Sequence, residues 1–279
     1  MSSDVAAVIV SYNVRDLLLR CIASLRADGV DQIVVVDNAS RDRSADAVDE
    51  HEPDVTLLQL HRNIGFGAGA NRGVARVDAP YVIIVNPDVI VEPGSTKALV
   101  DALERDPGLG VVGPRIETTD GEVYPSARAF PNLVDAAGHA FLHFVWPTNQ
   151  FSRRYRMLDW DRASARDVDW VAGTHIIVRR SAWDAVGGFD EAFFMYMEDV
   201  DLCWRMRAAG WRTGYDPAAC VTHEIGRSTD QTPYRMILAH HRSMLTFARR
   251  SSRGLARALI PLMAVALAVR TVLAWIQRA

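Results

Sequence analysis

Short apolar runs recur through the first third of the chain: Ala6 to Val10, Ile33 to Val36, Val55 to Leu60 and Val82 to Val85. Each is too short for a buried helix and is bounded by polar or turn-forming residues, so each predicts a strand. Val82 to Val85 is unbroken by any polar residue, as expected for a strand buried on both faces of a parallel sheet. Helical spacing fills the gaps. Leu17, Leu18, Cys21, Ile22 and Leu25 mark one helix, ended by Gly29. Asp42 to Glu50 predicts a polar helix. The glycine-rich turn Asn63 to Asn71 enters another that ends near Val77. Pro93 to Glu104 predicts the next, with Pro93 near its first position. Strand alternating with helix predicts a parallel sheet with right-handed crossovers.

The alternation stops after Gly113-Pro114. Arg115 to Arg166, with Pro125, Pro131 and Pro147, predicts an irregular segment with short helices built onto the first half. A strand is expected from Thr174 to Val178 and a turn at Gly187-Gly188-Phe189-Asp190. Phe193 to Met197 then leads into a helix that Glu198 opens and Gly210 ends. A short strand pair, Thr213 to Tyr215 and Ala219 to Thr222, precedes His223. Three parts follow: residues 1–115, 116–230 and a helical tail, 231–279.

The predicted strands end in Ser11-Tyr12-Asn13, Asp37-Asn38 and Asn86-Pro87-Asp88. In an open α/β sheet such ends line the ligand crevice. Asp88 follows a buried strand that Pro87 terminates, which suits a carboxylate holding a metal and, through it, a nucleotide diphosphate. The competing reading is a turn cap before Pro93-Gly94. With Asp37 on the same edge, one acid suits a base or ribose and the other a metal. Glu198-Asp199 suits a general base; adjacent acids at a helix start also serve the helix dipole. His223 is either structural or a second metal ligand, and histidine with carboxylate suits Mn²⁺ or Mg²⁺. Phe193 and Phe194 read as core, and His240-His241 as packing or solvent-facing. Gly65-Phe66-Gly67-Ala68-Gly69-Ala70 fits the dinucleotide fingerprint, the mark of a nicotinamide or flavin enzyme. That fingerprint belongs after the first strand of a βαβ unit, and here it follows the third.

Composition narrows the classes. The 279 residues are 49% hydrophobic, enough for a large core. A net charge of -3 offers nothing to nucleic acid. Cys21, Cys203 and Cys220 form neither a zinc pattern nor a disulfide framework, which suits a reducing cytoplasm. Met1-Ser2-Ser3-Asp4 lacks a basic run before the first apolar segment, so no signal peptide is expected.

Six motifs occur in order: Val10-Ser11-Tyr12-Asn13, Val36-Asp37-Asn38-Ala39-Ser40, Asn63-Ile64-Gly65-Phe66-Gly67, Asn71-Arg72-Gly73, Asn86-Pro87-Asp88 and Glu198-Asp199-Val200-Asp201-Leu202-Cys203-Trp204-Arg205. Together they resemble the family 2 inverting glycosyltransferases, in particular rhamnosyltransferase-like bacterial members, over about residues 5 to 225. The resemblance implies a GT-A nucleotide-diphospho-sugar transferase fold: a mostly parallel central sheet flanked by helices, here with a C-terminal helical tail. It implies inverting sugar transfer with a divalent metal. By it, Ser11 and Tyr12 line the nucleotide pocket, together with Asn13, Asn38, Asn63, Gly65 and Asn71. Asp37 takes the N3-H of uracil or thymine. Asp88 matches the last acid of the family's D-x-D motif and holds the metal with His223. Asp199 is the base, Glu198 stands close to the acceptor, and Trp170 and Gly173 border donor sugar and acceptor. Asn86 departs from the motif's first acid; an amide still bonds a ribose hydroxyl or metal-bound water but brings no charge. The implied donor is dTDP-rhamnose, or a UDP-sugar, and the implied acceptor a glycan or polyprenyl-diphosphate-linked sugar of cell-wall or surface polysaccharide assembly. A non-catalytic sugar-nucleotide-binding protein is the remaining alternative, and the presence of both Asp88 and Asp199 argues against it.

The tail is basic and apolar. Leu255 to Ile276 is interrupted by Arg257 and Arg270. Its unbroken part, Ala258 to Val269, would span roughly 18 Å as helix against a bilayer core of about 30 Å, so no transmembrane span is expected. With Arg249, Arg250 and Arg253 ahead of it, the tail suits an interfacial helix on the inner face of the plasma membrane. A helical contact between copies of the chain is the alternative.

Overall fold

A computed structural model describes residues 4–130, 146, 148–224 and 233–276. Pro131 and Pro147 of the irregular segment, and Arg278 of the tail, lie outside them. The first half runs β1 (Val5–Ser11), α1 (Arg15–Ala27), β2 (Gln32–Asp37), α2 (Ser44–His51), β3 (Thr56–Gln59), α3 (Phe66–Val74), β4 (Tyr81–Val85), β5 (Val89–Val91), α4 (Ser95–Arg105) and β6 (Leu109–Thr118). The second adds β7 (Val123–Tyr124), β8 (Ala127–Arg128), α5 (Gln150–Arg156), β9 (Arg166–Val168), β10 (Trp170–Val171), β11 (His175–Arg179), α6 (Arg180–Val186), α7 (Glu198–Ala208) and β12 (Arg212–His223). The tail is α8 (Pro233–Ser251), α9 (Leu255–Ala258) and α10 (Ile260–Ile276).

One sheet runs β3-β2-β1-β4-β11-β6-β12-β5, with β7 and β9 at its margins. β3, β2, β1 and β4 are parallel, with Ile9 beside Val35 and Val85. Strand alternation sends Ala7, Ile9, Ile33, Val35, Ile83 and Val85 to the face covered by α1, α2 and α4. Ala6, Val8, Val10, Val34, Val36, Val82 and Ile84 face α3, α6 and α7. Val82 to Val85 needs four aliphatic residues in a row because both faces are covered; each large side chain contributes roughly 1.5–3 kcal/mol.

The sheet is more mixed than strand–helix alternation predicts. β11 enters between β4 and β6 and is antiparallel to both. The expected strand pair before His223 is one long strand, β12, whose register slips between Asp216 and Cys220. Pro217, which cannot donate a ladder bond, sits in that slip. The 115/116 division falls inside β6, because the two halves share the sheet. Pro93 lies ahead of α4 rather than in its first turn; Gly94 is the N-cap, in the left-handed region. Asp28 caps α4 from a distance, accepting from Gly94 N and from Thr96 N (2.7 Å). Among the described residues no helix is long and apolar enough to cross a membrane.

Candidate active site

The site forms where β1, β2 and β4 end. Ser11 lies in register with Asp37, and both are fully buried. Asp37 Oδ2 accepts from Ser40 N (3.0 Å). Asp37 Oδ1 and Ser11 Oγ have no protein partner, so each is available to a bound polar group. Most of the neighbouring asparagines do structural work. Asn13 Oδ1 accepts from Arg41 N (2.6 Å), joining the loops after β1 and β2. Asn38 accepts from Ile64 N (2.9 Å) and donates to Gly65 O (3.0 Å). Asn63 accepts from Gly65 N (2.9 Å). Asn71 both donates to Phe189 O and accepts from Phe189 N, each at 2.9 Å.

The glycines of the fingerprint are filled by protein. A Cβ on Gly67 would meet Phe189 Cβ at 2.9 Å and one on Gly69 would meet Val10 Cγ1 at 2.9 Å; beyond the fingerprint, one on Gly73 would meet Val8 Cγ1 at 2.3 Å. Gly69 and Gly73 let α3 lie directly on β1, and the filled glycines leave no cradle for a dinucleotide. Gly65, at φ +94°, comes so close to Phe194 that a Cβ would lie 2.3 Å from its carbonyl oxygen. Phe66 N donates to that same oxygen (3.0 Å). Through Gly65 and Asn71, the glycine-rich element positions the segment that leads to Glu198.

That segment ends in two consecutive left-handed residues, Tyr196 (φ 65°) and Met197 (φ 68°). Neither is glycine; each such residue costs of order 1–3 kcal/mol and persists because its surroundings hold it. The turn sets Glu198 and Asp199 at the start of α7 and against a cavity of about 930 Å³. Glu198 is buried, and its Oε2 has no partner. Burial, then the Asp199 charge, raises its carboxyl well above the usual range. Asp199 is also raised by burial. It is pulled back by Gly173 N (2.9 Å to Oδ2), Val200 N (2.8 Å to Oδ1) and the Arg128 charge. Both carboxyls are thus raised, and the donors aimed at Asp199 favour the charge there over Glu198, whose Oε2 has none.

Across the cavity, pairing of β12 with β5 brings His223 beside Val89 and so beside Asp88. His223 Nε2 lies 3.2 Å from Asp88 Oδ1. Both residues are buried, and Asp88 Oδ1 and His223 Nδ1 lack an aligned hydrogen-bond partner. Two ligand atoms on adjacent corners of an octahedral Mg²⁺ site stand about 3 Å apart, so the spacing fits a shared divalent ion. Among the described residues no third His, Cys, Asp or Glu joins them, which leaves the remaining positions to water or to phosphate oxygens.

Tyr12, Asn38, Asn63, Asn86, Asp88, Trp170, Gly173, Glu198, Asp199 and His223 all line this cavity. Ser11 and Asp37 lie beneath it, while Asn13, Gly65 and Asn71 shape its loops. Arg128, Tyr124 and Tyr155 also line it, as do Arg235 and Arg242 of α8, and sequence reasoning did not single these out. Nothing local distinguishes Arg128 from the chain's many other arginines; the β8–β10 pairing sets it beside Trp170.

Comparison with known proteins gives the family and the fold. The model of the family "Glycosyl transferase family 2" matches residues 6–168. The chain is 40% identical over 260 residues to the N-acetylglucosaminyl-diphospho-decaprenol L-rhamnosyltransferase of Mycobacterium tuberculosis, covering 88% of this chain and 84% of that protein. It is 28% identical over 225 residues to the rhamnosyltransferase WbbL of Escherichia coli, covering 77% and 81%. Among solved structures it resembles a mannosyltransferase from Pyrobaculum calidifontis in complex with GDP-Man and Mn²⁺. That match has a TM-score of 0.63 and 16% identity, over 96% of this chain and 74% of that one. It also resembles GalNAc-T7 with UDP, GalNAc and Mn²⁺, with a TM-score of 0.61 and 14% identity, over 80% of this chain and 44% of that one. These neighbours establish the GT-A fold.

Proposed function

The chain belongs to glycosyl transferase family 2, and from that premise we propose that it transfers L-rhamnose, with inversion, from dTDP-rhamnose to an N-acetylglucosaminyl diphosphate carried on a polyprenol. The observation that carries the reading is one cavity holding Asp199 on one wall and the Asp88–His223 pair on another. The 40% identity to a decaprenol-linked rhamnosyltransferase supports the choice of sugar and acceptor. A glycosyltransferase rules out the dehydrogenase reading of Gly65 to Ala70, and the filled glycines are the physical reason. A UDP-sugar remains the second reading for the donor, because Asp37 would pair with uracil as with thymine.

In this mechanism residues 1–115 serve the donor and residues 116–230 the acceptor and catalysis. Asp37 Oδ1 and Ser11 Oγ receive the base end of the donor, with Tyr12 and Asn86 along the nucleotide. Asp88 and His223 would hold a divalent ion, Mg²⁺ or Mn²⁺, which would supply positive charge to neutralise the diphosphate. Asp199 takes the proton of the acceptor hydroxyl as that oxygen attacks the anomeric carbon from the face opposite the diphosphate. Glu198, neutral, stands beside the acceptor as a hydrogen-bond donor. Trp170 and Gly173 border the sugars.

The tail extends the proposal to the membrane. α10 turns Leu262, Val265, Val269, Val272 and Trp275 outward as exposed residues, at spacings of three and four. The arginines around it and the absence of acidic residues beyond Asp230 suit an anionic lipid surface on the cytoplasmic side. A contact between copies of the chain through the same helices is the competing use.

A thermal-shift screen tests the reading. Mn²⁺ with dTDP or UDP at about a hundred times Kd should stabilise the protein by roughly 2.7 kcal/mol, several degrees of Tm. The gain should depend on metal and vanish in Asp88→Asn. Stabilisation by NAD alone would overturn it.

A further inference from the structure

Arg128, like Arg235 and Arg242, lines the cavity without a part in the mechanism above, and of the three it is the one held in a cage of rings. Its guanidinium stands over three aromatic rings, at 5.2 Å from the centroid of Trp170, 5.6 Å from Tyr124 and 5.8 Å from Tyr155. Nε donates to Pro125 O (2.6 Å) and Nη2 to Tyr124 Oη (3.1 Å). Trp170, the deepest ring of this cage, is itself fixed by Nε1 donating to Ala129 O (2.9 Å). Among the described residues no Asp or Glu comes within ion-pair distance of Arg128. Arg205 and Arg250 instead have carboxylate partners, Asp201 at 2.6 Å and Asp190 at 2.7 Å, while Arg179 is taken up by the carbonyls of Leu103 and Leu109. A positioned cation that feels the Asp199 charge but is bonded to a carbonyl and a ring hydroxyl, and is open to a cavity, suits an anion that arrives from outside.

Its place in the cavity says which anion. Arg128 and Trp170 pair across β8 and β10, and three residues beyond Trp170 Gly173 N bonds the Asp199 carboxylate. Arg128 is thus on the base side. In a single displacement the base and the leaving diphosphate lie on opposite faces of the anomeric carbon, and the pair suited to metal, Asp88 and His223, comes from other elements, the β4–β5 turn and the end of β12. An anion beside Arg128 therefore belongs to the acceptor. We propose that Arg128, caged by Tyr124, Tyr155 and Trp170, binds a phosphate of the acceptor's diphosphate and so presents the adjoining sugar to Asp199. The inference rests on the acceptor being a lipid diphosphate, as proposed above.

Two measurements on the full-length chain test it. In the first, geranyl diphosphate is titrated calorimetrically in EDTA, which removes metal-dependent binding at the donor side. The wild type should bind it. Arg128→Met should bind roughly ten- to a hundredfold more weakly, the loss of a charged hydrogen bond, with Arg128→Lys between. In the second, kcat/KM is compared for the diphosphate-linked acceptor and an alkyl glycoside of N-acetylglucosamine. Wild type should favour the diphosphate; in Arg128→Met that preference should fall at least tenfold, while KM for the donor moves less than about threefold. Circular dichroism of each variant separates misfolding from a lost contact, and Arg128→Lys carries the test if the Met variant unfolds. An unchanged preference, or a rise in the donor's KM as large as the acceptor's, would overturn the proposal. If wild type transfers sugar to neither acceptor but binds geranyl diphosphate in an Arg128-dependent way, the functional reading fails and the anion site stands.

Discussion

At the scale of single residues, the site separates two adjacent carboxyls by their surroundings. Glu198 has burial and a neighbouring charge against ionisation and an Oε2 without a donor; Asp199 has the backbone N–H groups of Gly173 and Val200. The sign of the stability effect follows. Glu198's carboxyl is raised on folding, so between the unfolded value near 4.5 and its higher folded value the native state keeps a proton that the unfolded chain has lost. Stability is full below that window and falls as pH rises through it. Glu198→Gln removes the charge but keeps the shape. It should raise stability at pH 8 by ~1 kcal/mol or more, roughly 2–4 °C in Tm, and flatten the decline between pH 5 and 8. Melting curves across that range check it; an equally steep decline would refute the assignment. Asp88, His223 and the Glu198-Asp199 pair stood out in the sequence as polar residues at strand ends and a helix start, and the fold brings them to one cavity. Arg128 was not, since its meaning lies in three rings that the fold gathers around it. The asparagines were half legible. Asn38 and Asn71 stood out as motif letters, but whether an amide meets a ligand or a backbone peptide is decided only by the loop it faces.

At the scale of elements, the glycine-rich stretch is the instructive case. Its spacing copies a dinucleotide fingerprint, while its structure is a contact between α3 and β1. Gly69→Ala, inside the fingerprint, drives a methyl to 2.9 Å from Cγ1 of the buried Val10. It should cost about 1–3 kcal/mol or more by overpacking, read as a lower urea midpoint with an unchanged slope. A glycine kept free for phosphate would show lost nucleotide affinity at full stability instead. Strand existence was legible from run length and composition. Strand direction was not: β11 is as apolar as its parallel neighbours, and a strand covered on both faces carries no mark of its polarity. The cap of α4 by Asp28 also escaped, because capping from a distant loop leaves no local signature.

At the scale of the whole molecule, the tail connects the chemistry to a surface. α8 is tied to the catalytic segment by Ser243 Oγ donating to Met195 O (2.9 Å) and by Arg250 joining Asp190 and Asp201 (2.7 and 3.1 Å). α10 packs on α8 through His241 Nδ1 and Thr271 Oγ1 (2.6 Å) and through Tyr234 against Trp275. The hairpin that walls the cavity thus also presents the apolar stripe. Full-length protein should sediment with vesicles containing anionic lipid, and Val265→Glu with Val269→Glu should release it, in a salt-dependent manner. If the paired substitutions instead leave vesicle binding intact and convert a dimer to a monomer, the stripe is a subunit contact.

The central claim is that Asp199 is the base of an inverting rhamnosyl transfer onto a lipid diphosphate sugar. The direct measurement incubates wild type and Asp199→Asn with dTDP-rhamnose, Mn²⁺ and an N-acetylglucosaminyl diphosphate on a short prenol, and reads product and anomeric configuration by NMR. Wild type should form a rhamnosyl product of inverted configuration, with kcat/KM falling as pH drops through the raised value of Asp199. Asp199→Asn should form none while binding dTDP with metal as wild type does. Rhamnose transfer by Asp199→Asn at the wild-type rate, or a product of retained configuration, would contradict the account.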